Sequence, residues 1–202
     1  MAIEIRRATS AADLAGAFAL RRDVFIGEGI VRGSGDDPLF DIFDTVEENT
    51  VYIAVEGNEI VGTVRLTNPS PLGFPSDELF DFEPHLPAGS VASNGSMFCV
   101  DAARRRSSAG AQLLGALGMG AIEAGATHLV GALRPQAVSL VERTGGYAVG
   151  PEFHHPVEQV PVVPMICRLV DDVSPYIADL RAAVAVDDRT NPSEDQLTGA
   201  PR

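Results

Sequence analysis

The sequence predicts a mixed α/β fold, an α+β arrangement with helices packed on one mixed sheet. Short apolar strand segments alternate with helical segments, in the order strand, helix, hairpin, strand, helix, strand, helix, strand, strand. Two strands are separated only by Glu56-Gly57-Asn58-Glu59, which is typical of a tight hairpin turn. The chain has 202 residues, enough for one domain with a sizeable core.

Local signals support each element. Alternating or continuous apolar runs predict strands at Ala2–Arg7, Thr50–Val55, Ile60–Leu66, Ser96–Val100, His128–Leu133, Tyr147–Val149 and Val160–Leu169. Helical periodicity predicts helices at Ala11–Phe25, Ala109–Ala124, Pro135–Thr144 and Ser174–Val186. Ser10 suits an N-cap and Pro135 the first turn of a helix. We expect a single domain over residues 1–186 and a disordered polar tail over 187–202.

The composition excludes several functions. The net charge is -13 and all fifteen basic residues are arginine, so a lysine nucleophile is excluded and nucleic-acid binding is disfavoured. Cys99 and Cys167 lie in apolar segments, which predicts buried thiols and neither a disulfide nor a metal site. The polar N-terminus and the lack of a long apolar run predict a cytoplasmic protein without a membrane span, as a monomer or homodimer.

A basic turn follows the strand that ends at Val100. Arg104, Arg105 and Arg106 precede two serines and then a helix. The first backbone N–H groups of a helix are unpaired and attract anions, and arginines strengthen phosphate binding. The turn is therefore a candidate phosphate site, although a solvated basic turn explains the same residues.

This turn resembles the pyrophosphate-binding motif of the GNAT acyltransferase superfamily, Q/R-x-x-G-x-G/A. The motif aligns with Arg105, Arg106, Ser107, Ser108, Ala109 and Gly110, with Ser108 at the middle glycine. The likeness extends over residues 2–170 and includes Gly146-Tyr147 at the superfamily's "G-F" ending. It implies a mostly antiparallel central sheet, flanked by helices, with a parallel splay at the thioester site. Coenzyme A would bind the turn, and its pantetheine would pair with Phe98, Cys99 and Val100.

The same resemblance implies direct attack of an amine on a thioester, which requires a base for the ammonium and an acid for the thiolate. Glu142 stands where many members carry a tyrosine acid, although it also suits an exposed helix position. His154 and His155 are candidate bases, because a neutral imidazole is matched to pH 7. A water held by Asn94 is the alternative, and the histidines also fit a structural role.

A second resemblance, to the autoinducer synthases and the N-acyl amino acid synthases, covers the N-terminal third. The matching residues are Arg21 and Phe25 on the first helix, Asp41 and Asp44 before the hairpin, and Gly62, Arg65 and Leu66 on its second arm. The resemblance implies an amino-acid-like acceptor. Asp41 and Asp44 would hold its ammonium, and Arg65 its carboxylate. A solvated acidic loop is the simpler interpretation of the aspartates.

One departure separates the chain from the autoinducer synthases. Their E-x-x-R-F motif is replaced by Asn94-Gly95-Ser96-Met97-Phe98, so neither charged position is kept. We therefore expect an N-acyltransferase that moves an acyl group from acyl-CoA or an acyl-carrier-protein thioester to a small amine. Autoinducer synthesis from S-adenosylmethionine and a catalytically degenerate acyl-CoA-binding module are the alternatives.

The segment 187–202 is expected to be dispensable. It contains two prolines and has no apolar periodicity, so burial cannot offset the entropy of ordering it. Deleting it should leave the thermal midpoint and the rate of acyl transfer unchanged. A midpoint lowered by several degrees in a thermal scan would show that the segment packs on the domain.

Overall fold

A computed structural model describes residues 2–31, 37–156 and 158–169. The helices are α1 (Ala11–Gly27), α2 (Ala109–Glu123) and α3 (Pro135–Glu142). The strands are β1 (Ile3–Arg7), β2 (Thr50–Glu56), β3 (Glu59–Thr67), β4 (Ala92–Val100), β5 (His128–Leu133), β6 (Gly146–Ala148), β7 (Phe153–His154) and β8 (Pro161–Arg168). The predicted fourth helix, tail and domain end lie outside the described residues. No described helix is long and apolar enough to span a membrane.

The strands form one eight-stranded sheet in the order β1-β2-β3-β4-β5-β8-β6, and β7 pairs with β8 off this path. The β4–β5 pair is parallel, and every other described pair is antiparallel. The mixed, mostly antiparallel sheet predicted from the sequence is confirmed.

Helices cover both faces of the sheet, and β2 shows why its sequence is apolar at successive positions. Tyr52 and Ala54 pack in the cluster that contains the buried side of α2. Val51, Ile53 and Val55 face the other way and pack against α1. Alternate residues of a strand point to opposite faces, so a strand buried on both faces needs a continuous apolar run.

The parallel pair separates halfway along its length. β4 and β5 pair only through Ala92–Asn94 and His128–Val130, although both strands continue beyond these residues. At the next position the strands still approach closely, because a Cβ atom at Gly131 would lie 2.7 Å from the carbonyl oxygen of Gly95. The predicted parallel splay is thus present, and it begins after Asn94.

β4 begins four residues before the predicted start at Ser96. The added residues, Ala92-Ser93-Asn94-Gly95, carry no apolar alternation, yet Ser93 and Asn94 are fully buried. The sequence analysis did not predict β7, because a strand of two residues is too short to show an apolar period.

Candidate active site

A cavity of about 1330 Å³ lies at the splay and is bounded by β4, β5, α2, α3 and the turn between β7 and β8. Part of its wall is apolar and includes Leu114, Leu117, Leu129, Val130, Met165 and Leu169. Charged side chains line another part, among them Glu28, Asp41, Arg65, Arg106, Arg134 and Glu158. The cavity therefore suits a ligand with a long apolar part and a polar part.

A β-bulge distorts β4 beside the cavity. Thr63 pairs with Cys99 and Arg65 with Ser96, so Val64 alone stands opposite two residues of β4. Met97 in the bulge has a positive φ of 52°. Beyond Asn94 this strand has no pairing with β5, which leaves backbone groups of β4 available to a ligand along the cavity. Phe98, Cys99 and Val100, the predicted pantetheine contacts, all line it.

The basic turn lies between β4 and α2, as predicted. Asp101 Oδ1 accepts a hydrogen bond from the N–H of Ala103 at 2.7 Å, and Ser107 Oγ accepts one from the N–H of Ala109 at 3.2 Å. Ala109 is buried in the core, whereas most of the predicted phosphate-binding residues line the cavity: Arg105, Arg106, Ser107 and Gly110. Ser108 is the N-cap residue, without a side-chain cap bond, and its Oγ accepts from Gln112 Nε2 at 2.6 Å.

The three arginines of this turn have different surroundings. Arg104 pairs with Glu56 at 3.1 Å and with Glu59 at 3.3 Å, on the β2–β3 hairpin. Arg105 pairs with Glu28, at the end of α1. Arg106 has no hydrogen-bond or ion-pair partner among the described residues and is exposed beside the cavity. Its guanidinium is the one of the three that can bind phosphate without giving up a partner.

The predicted acceptor residues come together in a buried ion-pair network. Arg65 Nη1 lies 2.5 Å from Asp41 Oδ1 and 2.8 Å from Asp44 Oδ2, and its Nη2 donates to Asp41 Oδ2 at 3.0 Å. Arg21 Nη1 donates to both oxygens of Asp44 at 2.9 Å. The side chains of Arg21 and Arg65 are 0% exposed and that of Asp44 is 1%, whereas that of Asp41 is 34% exposed. The arginines and aspartates thus bind each other.

Further contacts orient the network. Arg65 Nε donates to Ser96 Oγ at 3.1 Å, which ties β3 to β4 just before the bulge. Asp41 caps the short 3-10 turn Ile42–Thr45 by accepting from the N–H of Phe43 at 2.8 Å, and Asp44 accepts from the N–H of Asp41 at 3.1 Å. Each carboxylate therefore holds an arginine and the backbone of its own turn. Phe25, the fifth predicted acceptor residue, packs on Cys99 and lines the cavity.

Of the four predicted catalytic residues, two line the cavity and two lie outside it. Glu142 and His154 are exposed and do not line the cavity. His155 lines it, and its Nδ1 accepts a hydrogen bond from the backbone N–H of Glu158 at 3.1 Å. Asn94 lines it at the splay, where its Nδ2 donates to Ser76 Oγ at 2.7 Å and to the carbonyl of Val130 at 3.1 Å.

The cysteines are buried free thiols, as predicted. Cys99 lines the cavity, but burial raises the pKa of its thiol to about 12, so it is protonated at neutral pH. A thiol of this kind packs as an apolar group and is not a nucleophile.

The sequence analysis missed five charged residues at the cavity: Glu28, Glu78, Arg134, Arg143 and Glu158. Glu28 pairs with both Arg105 and Arg134, and so joins the end of α1 to the basic turn and to the start of α3. Glu158 lies in the turn between β7 and β8. Glu28, Arg134 and Glu158 are far apart in the sequence and belong to no local motif, so only the fold brings them together.

A mostly antiparallel sheet whose one parallel pair separates beside the N-terminus of a helix is the arrangement of GNAT acyltransferases. A sequence model of the family described as N-acyl amino acid synthase FeeM matches residues 16–168. The chain belongs to this FeeM family, and it is an N-acyltransferase.

Solved structures share the fold. FeeM, an N-acyl amino acid synthase from uncultured soil microbes, is 16% identical, with 94% of this chain and 99% of that chain covered and a TM-score of 0.70. The CoA-dependent acyl-homoserine lactone synthase BjaI, solved with SAM and isopentyl-CoA, is 20% identical (91% and 89% covered, TM-score 0.63). A protein assigned as an N-acetyltransferase from Lactobacillus plantarum is 23% identical (84% and 100% covered, TM-score 0.61). No curated protein sequence matches significantly.

Replacing Asp44 with Asn should strongly destabilise the protein. The change leaves Arg21 and Arg65 buried with less negative charge, and breaking a buried ion pair from one side costs about 3–5 kcal/mol. Urea unfolding measures the loss. Asp23→Asn is the matched control, because the Asp23–Arg22 pair lies at the surface and should contribute at most about 1 kcal/mol. Equal midpoints for the two variants would contradict a structural role for the network.

Arg106→Ala should weaken coenzyme A binding, by roughly 1.5–3 kcal/mol for each charge-assisted hydrogen bond to phosphate that the variant cannot form. Arg105→Ala should have a smaller effect, because Arg105 must give up Glu28 to bind phosphate. Arg104→Ala is the control, since Arg104 pairs with the hairpin. Isothermal titration calorimetry measures the affinities. Unchanged affinity in Arg106→Ala would exclude this turn as the phosphate site.

Proposed function

We propose that the chain transfers an acyl group from a phosphopantetheine thioester, on coenzyme A or on an acyl carrier protein, to the amine of a small amino-acid-like acceptor. The splay between β4 and β5, which opens into the cavity, is the observation that carries the proposal. An extended pantetheine can pair with Phe98, Cys99 and Val100 as an added strand would. Arg106, Ser107 and the first turn of α2 then lie where its phosphates can be bound.

The size and lining of the cavity support a donor longer than acetyl. Its volume of about 1330 Å³ exceeds the roughly 300–1,000 Å³ of ordinary small-molecule pockets. Leu114, Leu117 and Leu129 offer an apolar surface to an alkyl chain. Burial of apolar surface contributes about 0.8 kcal/mol for each methylene group, so longer chains gain affinity until the cavity is full.

The reaction needs no covalent enzyme intermediate. The acceptor ammonium first loses a proton, and the free amine attacks the thioester carbonyl carbon. The C–N bond forms, the C–S bond breaks, and the further proton that the nitrogen loses in becoming an amide balances the one taken up by the departing thiolate. Backbone N–H groups at the bulge are suited to polarise the thioester carbonyl. His155 and Asn94 are the predicted catalytic residues that line the cavity, and they remain candidates. Glu142 and His154 would need to act from outside it.

The acceptor would lie on the α1 side of the bulge. Asp41 is the network member with an exposed edge, so it can contact an acceptor ammonium while it still binds Arg65. We propose that Arg21, Asp44 and Arg65 position Asp41 and the bulge, because their own charges are engaged within the network. Phe25 supplies an apolar contact beside them.

Autoinducer synthesis remains a second candidate, because Arg21, Asp41, Asp44 and Arg65 occupy positions that match the autoinducer pattern. Nothing charged stands at Asn94 and Met97, where that pattern has an acid and an arginine. Dependence on S-adenosylmethionine separates the two functions.

Thiol release tests the proposed function. Acetyl-, octanoyl- and palmitoyl-thioesters of coenzyme A and of acyl carrier protein are each offered with a panel of amino acids, and products are identified by mass. We expect N-acyl amino acids, with kcat/KM higher for the long chains than for acetyl. Product that forms only with S-adenosylmethionine would favour the autoinducer function. Donor binding without turnover would favour a degenerate binding module.

A further inference from the structure

We propose that Glu158 is the base that removes a proton from the acceptor's ammonium group, an inference that rests on the proposed function and names its proton acceptor. The acceptor binds as an ammonium and attacks only as a free amine. One N–H bond therefore breaks, its electron pair stays on nitrogen, and the proton moves to a carboxylate oxygen of Glu158. The lone pair then forms the new N–C bond.

The turn between β7 and β8 carries Glu158 to the reacting region. β7 and β8 form a hairpin, in which Phe153 pairs with Val162 and His154 with Pro161. Val160, at the end of the turn, packs in a cluster with Phe25, Met97 and Cys99. The turn is thus anchored to the bulge of β4, and Glu158 lines the cavity with Met97 and Cys99.

His155 is the other titratable residue of this turn that lines the cavity, but its hydrogen bond makes it a poor base. A backbone N–H can only donate, so Nδ1 of His155, which receives the N–H of Glu158, is the unprotonated nitrogen of the ring. The neutral imidazole then carries its proton on Nε2 and is a donor there. It could accept the amine's proton only on Nδ1, after losing the bond that holds the ring.

The surroundings of Glu158 make its carboxylate a stronger base than an exposed glutamate. Burial raises the pKa of its carboxyl, and His155, when its ring is protonated, and Arg134 oppose this effect only in part. Arg134, at the N-cap of α3, is itself paired with Glu28, at the end of α1, which moderates its charge. A carboxylate with a raised pKa is better matched to an ammonium than an ordinary one, because base strength rises with pKa.

The proposal predicts in which direction activity changes with pH. Glu158 accepts a proton only while it is ionised, so activity should fall as pH falls through its raised pKa. Above that pKa the base is present and the rate should level off. His155 and Arg134 are the charge partners of Glu158, Glu28 is paired with Arg134, and Cys99 and Glu78 line the same cavity.

Glu158→Gln tests the assignment, because the amide keeps the shape and the backbone N–H that holds His155 but cannot take a proton. We expect kcat/KM for the amine to fall roughly 10²–10⁴-fold at neutral pH, with the affinity for acyl-CoA unchanged. The loss of kcat/KM relative to wild type should become smaller as pH rises, because more of the acceptor is then already free amine. Glu158→Asp should recover part of the rate. Glu152→Gln, an exposed carboxylate in the preceding loop, is the matched control and should behave as wild type.

The outcomes separate the two proposals. Wild-type transfer with an unchanged Glu158→Gln variant would overturn the role of Glu158 and leave the proposed function standing. A loss of kcat/KM that stays the same at every pH would also overturn the role of Glu158, because a merely structural contact affects the rate equally across the pH range. A wild-type chain that releases no thiol with any donor and acceptor would overturn the proposed function, and the base assignment with it.

Discussion

The buried pairing of Arg65 with Asp41 and Asp44 is the constraint on which the active-site side of the molecule depends. A guanidinium removed from water must be bound on several sides, and here a short 3-10 turn supplies both carboxylates. The same arginine reaches Ser96 on β4, and Arg21 on α1 shares Asp44. One set of charges therefore fixes a helix, a turn and two strands around the start of the β4 bulge.

A second set of charges organises the opposite side of the cavity. Glu28 binds Arg105 and Arg134, which belong to the turn before α2 and the residue before α3. The basic turn is thus partly neutralised within the chain, and Arg106 is the arginine of that turn without a partner among the described residues. Between these polar regions the wall is apolar. In the proposed function, the charges would orient the thioester and the apolar surface would accommodate the acyl chain.

Local sequence signals predicted most of the fold and part of the site. The strand–turn–helix at Arg105 and the hairpin at Gly57 have local patterns that a single chain displays, whereas Arg21 and Asp44 were grouped only through a family resemblance. The early start of β4 was missed because Ser93 and Asn94 are polar and buried, and burial of a polar residue follows from its partners. Glu28 was missed because its partners Arg105 and Arg134 are distant in sequence, and Glu158 because no local pattern indicates that it lines the cavity. The acceptor interpretation of Arg65 rested on a motif resemblance and on its charge, neither of which revealed that it pairs with carboxylates within the chain.

Beyond Asn94, β4 is an interior strand with the properties of an edge. Its backbone groups beside the cavity have a ladder partner only when something extended lies between it and β5, and a pantetheine arm has that shape. In the proposed function, the donor would therefore complete the sheet as well as supply the acyl group. Occupancy and folding stability are consequently linked quantities, because a ligand that binds only the folded chain adds RT ln(1 + [L]/Kd) to its stability. The cellular supply of thioester would then govern how long this protein persists as well as how fast it works.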